Sequence, residues 1–390
     1  MKILFLNHNY ENFGTFYRCY FLGKYLARRG HEVDIVCASR KNFDLRIKSK
    51  VIEPNFRIVT LPRIRLHEYH TGHLLRALIN SGLVMVKNYD ILHSFTVAQP
   101  ATGVPTFIAR YFKNKPIVVD WDDAWEGGLA GQHPSLIGRA ISYLEREVPK
   151  LADTVTVVSG FLKDVSEKRG YKNVVKIPNG ANVEDIKPLK KEASRKFLNI
   201  QPDIKILLSI GHTYTKSISL MLDAFTIALQ RMPDLKLYVV GNFGKQSEDI
   251  KKRFSAIKDN ITFTGEQSFD MVKFYLAAAD CLVLPMEDSV FEKARFPIRL
   301  GDYMAAGRPI ISNAVGEVRH VLSKGCGITC LPDDVKGFSD IMVRIIEDKR
   351  LQKETSSKAR AMAEAEYAWG ILVQDLECVY KKLLSEPVVN

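Results

Sequence analysis

Between Ala294 and Pro309 the chain reads ARFPIRLGDYMAAGRP. Arg295 and Arg299 stand one helical turn apart there, so on a helix both guanidiniums can face one anion. Pro297 fits only near the start of such a helix, which adds the favourable N-terminal dipole at the same end. Asp302 follows as an acceptor for hydroxyl groups, and the small residues of LGDYMAAG suit tight backbone packing beside a ligand. A ligand carrying both phosphates and hydroxyls would satisfy the whole set. A solvated charged face is the plainer reading, and the small residues argue against it.

Other segments carry related chemistry. SIGHTYTK, ending at Lys216, follows an apolar run and precedes a helical pattern. Gly211 permits close backbone approach, and Lys216 offers a point charge near a helix start, a natural anion site. An ordinary turn with a surface lysine fits the same letters. Gly265 with Glu266, and Gly316 with Glu317, also follow apolar runs, where they would rim a pocket. In the first half, Gly14 lies in NHNYENFGTFYR, either approaching a ligand phosphate or making a turn, with Arg18 next in line. VVDWDDAWEGG sets Asp120, Asp122 and Asp123 among Trp121 and Trp125. Those carboxylates would accept hydrogen bonds from sugar hydroxyls beside flat indole faces, or join further ligands around a divalent cation. A helix-capping acid beside core aromatics is the alternative. His93, closing ILHSF, is either a pocket residue or a satisfied core histidine.

These residues sit on a repeating pattern of short apolar runs and longer amphipathic segments. KILFL, then FGTFYRCYFLGKYLARRG, then EVDIVCA is a β-α-β unit with a right-handed crossover. FRIVTL, ILHSF, PIVVDW, TVTVVS and NVVKIPN continue it. Near-continuous apolar strands alternating with helices indicate a parallel sheet covered on both faces. The rhythm restarts after a charged stretch near 187–202 with KILLSIG, LKLYVVG, ITFTG, CLVLP, PIISN and GITCL. The expected fold class is α/β: two Rossmann-like domains, 1–190 and 191–368, with parallel sheets facing an interdomain cleft. Ligands in such sheets sit at the strand C-termini, which is where the candidate residues fall.

Bulk properties agree. A chain of 390 residues, 46% hydrophobic and 26% charged, is long enough for two cored globular domains. The net charge of +12 favours an acidic partner, whether nucleic acid, an anionic membrane or a phosphorylated substrate. Six scattered cysteines without zinc-knuckle spacing suggest a reduced compartment. MKILFLNHNY reads as a first strand and not as a signal peptide, and no window reaches the roughly 20 apolar residues of a membrane span. LPRIRLHEYHTGHLLRALINSGLVMVKN mixes Arg63, Arg65, Arg76 and Lys87 with apolar residues at helical spacing. It would dock on an anionic membrane or pack on its own domain.

DTVTVVSGFLKDVSEKRGYKNVVKIPNGAN, SIGHTYTK, AAADCLVLP and LGDYMAAGRPIISNAVGE, in that order, resemble the GT-B-fold retaining glycosyltransferases of family 4 over nearly the whole chain. The resemblance implies a nucleotide-diphospho-sugar donor held mainly by the second domain and an acceptor held mainly by the first. It implies transfer with retention, no metal or other cofactor, and a C-terminal helix, 369–390, returning to the first domain. Lys216 matches the lysine used on the donor diphosphate, and Asp302 the acid that holds the ribose. His212 stands where an arginine is usual, and Ala294 where a first acid is usual, with Glu287 and Glu292 nearby. Arg295 and Arg299 would supply the displaced cationic contact, and Gly14, Gly211, Gly265 and Glu317 complete the donor set. Asp122 occupies a position usually held by histidine. The expected catalytic residues are therefore Lys216, Asp122 and Arg295, and the acceptor or sugar contacts His93, Asp120, Asp122 and Trp125. The expected partners are a nucleotide-sugar and a glycan or lipid-linked acceptor, in the cytoplasm or at the inner face of the plasma membrane.

A sugar-nucleotide epimerase of the same architecture and a non-catalytic sugar-nucleotide or glycan-binding protein remain open on these grounds. A nucleic-acid binder is disfavoured by dispersed basic groups and the lack of a recognised module. A nicotinamide dehydrogenase is disfavoured by the missing glycine fingerprint.

Overall fold

Runs such as ILHSF and IVVDW are apolar at almost every position, so as strands they require cover on both faces. In the computed structural model, which describes residues 1–64, 72–126, 135–211, 215–241 and 246–385, both are fully buried inner strands. The chain forms two compact units, Met1–Asn179 with Trp369–Asn390, and Gly180–Ala368.

The first unit opens with β1 (Lys2–Tyr10), α1 (Phe16–Arg28), β2 (Glu32–Ala38), β3 (Lys48–Glu53) and β4 (Phe56–Leu61). It continues with α2 (Gly72–Val86), β5 (Ile91–Phe95), α3 (Pro100–Phe112), β6 (Ile117–Trp121) and α4 (Ser135–Glu147). It then adds β7 (Thr154–Val157), α5 (Gly160–Lys168) and β8 (Val174–Lys176). The sheet order is β3-β4-β2-β1-β5-β6-β7-β8, parallel except for the β3–β4 pair. The lysines of β3 suit an exposed edge, where charge discourages further pairing.

The second unit holds α6 (Lys191–Phe197), β9 (Lys205–Ile210), α7 (Thr215–Arg231), β10 (Leu235–Val240), α8 (Gln246–Arg253) and β11 (Ile261–Gly265). Next come α9 (Phe269–Ala278), β12 (Cys281–Leu284), α10 (Val290–Ala294), α11 (Ile298–Ala306) and β13 (Ile310–Asn313). α12 (Gly316–Val321), β14 (Ile328–Cys330), α13 (Val335–Glu347) and α14 (Lys349–Ala365) complete it. Its sheet is wholly parallel, in the order β11-β10-β9-β12-β13-β14. Phe225, Leu237, Val283, Ile311, Phe338 and Met342 belong to its core.

The two sheets share one feature that matters for function. β1 lies between β2 and β5, and β9 lies between β10 and β12, so in each sheet the strand order reverses beside the first strand. Such a switch point opens a crevice at the strand C-terminus, where Gly14 and Gly211 respectively follow.

The division falls at Asn179, ahead of the 187–202 stretch where the composition changes. Gly180 and Ala181 already belong to the second unit. The Ala181 amide donates to the Tyr367 carbonyl at 2.6 Å, and Gly301 on α11 packs so closely on the Gly180 carbonyl that no side chain would fit. The last helix, α15 (Trp369–Ser385), belongs to the first unit. Trp369 stacks on Phe21 with centroids 5.3 Å apart, and Leu372, Val373, Leu376 and Tyr380 join the same core. All six cysteines are free thiols, five of them buried. Among the described residues no helix is long and apolar enough to cross a membrane.

Candidate functional site

In the second unit the site is built on the C-terminal end of β9. Gly211 has φ +91°, a backbone form that favours glycine, and its amide donates to the Val240 carbonyl at 2.8 Å. α11 is locked onto this strand end by two side chains one turn apart. Arg299 Nη1 donates to the Ile210 carbonyl at 2.9 Å, and the Ile210 amide donates to Tyr303 Oη at 2.8 Å. A side chain at position 211 would stand 3.8 Å from Arg299 Nη1, so the glycine leaves the guanidinium close to bare backbone. The Gly241 amide donates to the Gly265 carbonyl at 2.9 Å, which brings Gly211, Gly241 and Gly265 together across three adjacent strand ends. Gly241 escaped the sequence reading, although LKLYVVG repeats the strand-then-glycine pattern of KILLSIG.

Charge gathers beside that floor. Ser289 caps α10 by accepting from the Glu292 amide at 3.2 Å, which fixes the first turn and carries Glu292 into the interior. Glu292 Oε2 accepts from Arg295 Nε at 2.8 Å, while Oε1 is buried with no hydrogen-bond partner among the described residues. Desolvation raises the Glu292 carboxyl, and Arg295 and Arg299 pull it back down. The Arg295 guanidinium also lies over the Phe291 ring, 5.0 Å from its centroid. Gly316 abuts the backbone of Glu292 and Lys293, so Glu317 enters the first turn of α12 from the same neighbourhood and is itself buried.

Asp302 lies three residues beyond Arg299 on α11, half-buried. It has no hydrogen-bond or ion-pair partner among the described residues, and desolvation alone pushes its carboxyl up to about 7. Ala294, at the usual place of a first acid, is fully buried; Glu292 is the acid that lies beside the arginines, and Glu287 is half-buried. Lys216 begins α7 and is exposed, with Nζ 3.8 Å from Asp333 Oδ1. His212 lies outside the described residues.

The first unit places its candidates differently. Gly14, with φ +56°, packs against the Asn9 side chain, and the adjacent Thr15 hydrogen-bonds Asp122. Asp122 also accepts from Thr96 Oγ1 at 2.6 Å, so the β1–α1 loop and the residue just after β6 meet at this carboxylate. Burial raises the Asp122 carboxyl, and the neighbouring Asp120 charge adds to the shift. Trp125 is half-buried, edge-on to His8 with centroids 6.0 Å apart, and its amide donates to Glu145 Oε1 at 2.8 Å. Glu145 also accepts from Trp121 Nε1 at 2.9 Å and from the Glu126 amide at 2.6 Å, which holds residues 121–126 in place.

Two expected sugar contacts are corrected here. Asp120 is fully buried, forked by Arg18 Nε and Nη2 at 2.8 Å each and bonded by Thr156 Oγ1 at 2.6 Å. Its β6 position faces the interior, where a charge persists only when paired and hydrogen-bonded. Arg18 itself spends its remaining donors on the Ile177 and Pro178 carbonyls and Asn179 Oδ1, so it is not available to a phosphate. His93 is also fully buried, stacked on Phe95 and hydrogen-bonded through Nδ1 to Tyr380 Oη at 2.6 Å. Desolvation lowers its pKa to about 3, so the ring is a neutral core group. Among the described residues no three His, Cys, Asp or Glu side chains gather as a metal site.

Residues 14–185 match the family model described as Glycosyltransferase Family 4, and residues 204–348 match Glycosyl transferases group 1. The chain is a family 4-like glycosyltransferase. This enzyme is 26% identical over 384 residues to N-acetyl-alpha-D-glucosaminyl L-malate synthase of Bacillus anthracis, spanning 94% of this chain and 93% of that one. Its fold matches the solved sucrose-phosphate synthase of Thermosynechococcus elongatus, with TM-score 0.79, 18% identity and coverage of 98% and 99%. Anabaena HepE, solved in complex with UDP-glucose, matches with TM-score 0.73, 16% identity and coverage of 98% and 100%. The glycosyltransferase thus has the two parallel-sheet units of the GT-B fold, and the epimerase and binding-protein readings give way.

Proposed function

We propose that this glycosyltransferase moves a sugar, with retention of anomeric configuration, from a nucleoside-diphosphate donor to a glycan or lipid-linked acceptor. One observation carries the donor assignment: Asp302, a half-buried carboxyl without a hydrogen-bond or ion-pair partner among the described residues, one turn from Arg299 at the β9 switch point. A carboxyl so placed has lost water without a hydrogen bond from the described residues, and ribose hydroxyls would supply the missing hydrogen bonds. Arg295, Arg299 and Lys216 would face the diphosphate, whose negative charge grows as the anomeric bond breaks. The glycine floor of Gly211, Gly241 and Gly265 lets backbone approach it.

The electron pair of the broken bond leaves with the diphosphate. The acceptor oxygen bonds the anomeric carbon on the same face, and its proton passes to a leaving-phosphate oxygen. Cations from the chain balance that charge in this reading, and no metal ion is called on. Asp122, half of whose hydrogen bonds come from the β1–α1 loop, is the carboxyl proposed to meet the sugar or acceptor, with Trp125 beside it.

A thermal-shift panel of UDP-, GDP- and ADP-sugars and their free diphosphates, with and without magnesium, tests this directly. One nucleotide class should stabilise the wild type regardless of magnesium, and Lys216→Ala and Asp302→Asn should lose most of that shift. No response in the wild type, or undiminished responses in both variants, would refute the assignment.

A further inference from the structure

The sequence offers Arg63 and Arg76 as contacts for lipid headgroups, but the structure puts both inside, 8% and 3% exposed. Both attach to the C-terminal end of β1. Arg63 follows β4; its Nη1 donates to the Arg40 carbonyl at 2.8 Å, and its guanidinium lies over the Tyr10 ring, 3.8 Å from the centroid. Tyr10 is itself stacked on Phe13, with centroids 4.5 Å apart. Arg76 reaches the same strand from α2, its Nη1 donating to the His8 carbonyl at 2.6 Å.

Among the described residues neither arginine forms an ion pair, and the Nε of each is buried with no hydrogen-bond partner. Asp44, whose backbone pairs with that of Arg63, gives its carboxylate to Ser39, Arg46 and Lys48. Desolvation lowers the Arg76 guanidinium to about 10, and the Arg63 charge adds to that fall. The Cys37 thiol pulls the other way only once ionised, and its own burial raises its pKa. Arg18, by contrast, is forked on Asp120. A buried charge without a counter-ion is costly, and here two of one sign stand at one strand end. Water would satisfy the N–H groups but not the charges.

We infer that Arg63 and Arg76 hold an oxyanion of the acceptor, a carboxylate or phosphate carried in the same molecule as the hydroxyl that receives the sugar. The place fits that role. His8, whose carbonyl takes Arg76, has its ring edge-on to Trp125, so the arginines adjoin the side of the sheet where Trp125 and Asp122 stand. The charged end of the acceptor faces the arginines and its hydroxyl end faces Asp122, whose carboxylate would repel the reverse orientation. This rests on the sugar-transfer reading of the first unit and narrows it, because a neutral acceptor would leave both cations unpaired.

The test is calorimetric titration and thermal shift of the full chain with glycerate, glycerol 3-phosphate and glycerol at equal ionic strength. These share a skeleton and differ in bearing a carboxylate, a phosphate or no charge. An anion should bind and glycerol should not, and the tighter anion names the group. Hexanoyl glycerol 3-phosphate, added as a fourth ligand, separates a lipid-borne phosphate, which it would mimic more tightly, from a soluble one. The dissociation constant should rise on the order of 10- to 100-fold in Arg63→Gln and in Arg76→Met, with Arg63→Lys between them and the wild type. Without anion, Arg76→Met should keep or raise the wild-type thermal midpoint, because its removal strands no carboxylate. Arg299→Ala should keep the anion response, and the Arg63 and Arg76 variants the nucleotide response, which separates this pocket from the donor site. Binding of neither anion, equal binding of glycerol, or undiminished binding in both variants overturns the proposal. So does an anion response lost in Arg299→Ala but kept in Arg63→Gln, or a midpoint several degrees lower in both Arg63→Gln and Arg76→Met, which would assign the pair to the fold.

Discussion

The two units each bury an arginine–carboxylate pair beside a switch point, and the pairs are finished to different degrees. Arg18 and Asp120 close on one another: the arginine has five hydrogen bonds and the aspartate three, every partner coming from the first unit. In the second unit Glu292 meets Arg295 with one oxygen, and among the described residues its other oxygen and the nearby Asp302 carboxyl have no hydrogen-bond or ion-pair partner. A charge satisfied by its own protein holds the fold together. A desolvated carboxyl left without partners is a place for something that arrives later.

Removing a cation from each side should separate these roles most sharply. Arg18→Met strands Asp120 in the interior and should cost about 3–5 kcal/mol of folding stability, read by urea or thermal unfolding. A loss of activity at unchanged stability would break the contrast. Arg299→Ala should do the opposite. It should lower kcat/KM by roughly 10²–10³-fold, as expected for a group facing transition-state charge, while unfolding shifts by only about 1 kcal/mol. Comparable damage to folding in both variants would mean that the second cluster is structural too.

Asp302 sharpens the comparison through pH. Its folded pKa of about 7 lies above the unfolded 3.8, so the native state holds an extra proton between those values. Its contribution to stability is therefore full at low pH, declines as pH rises through that window, and is flat above about 7. Asp302→Asn should remove the decline and stand up to about 4 kcal/mol above the wild type at pH 8. Nucleotide affinity should also weaken as pH falls below about 7 in the wild type, by up to roughly tenfold per pH unit, and not in the variant. An identical pH profile in the two proteins would remove Asp302 from the site. The smallest expected effect is on stability in Lys216→Ala, within about 0.5 kcal/mol, because its pairing with Asp333 is exposed and long. A larger loss would show Lys216 serving the fold.

Much of the second cluster was legible. Arg295, Arg299, Asp302 and Gly211 lie near strand or helix ends, and a periodic pattern locates such ends without knowledge of distant contacts. The first cluster was not. Asp120 and Asp122 are two letters apart in the same segment, yet one is locked by Arg18 from 102 residues away and the other meets Thr15 and Thr96. His93 reads equally as pocket or core until Tyr380, 287 residues on, is found against its ring.

The sequence by itself determined the alternation of strands and helices, the restart that marks a second unit, the glycines at strand ends and membership of a glycosyltransferase family. The first three follow from periodicity and local backbone preference, which neighbouring residues decide among themselves, and the last from the resemblance of its motif blocks to that family. Tertiary structure alone decided which buried charges are quenched and which carboxyl stands without a hydrogen-bond partner among the described residues. It also decided that Asp120 and His93 stand in the interior. Each of those depends on groups brought together across long stretches of chain, where side-chain partners, and not spacing, set the energy of a charge or an apolar face.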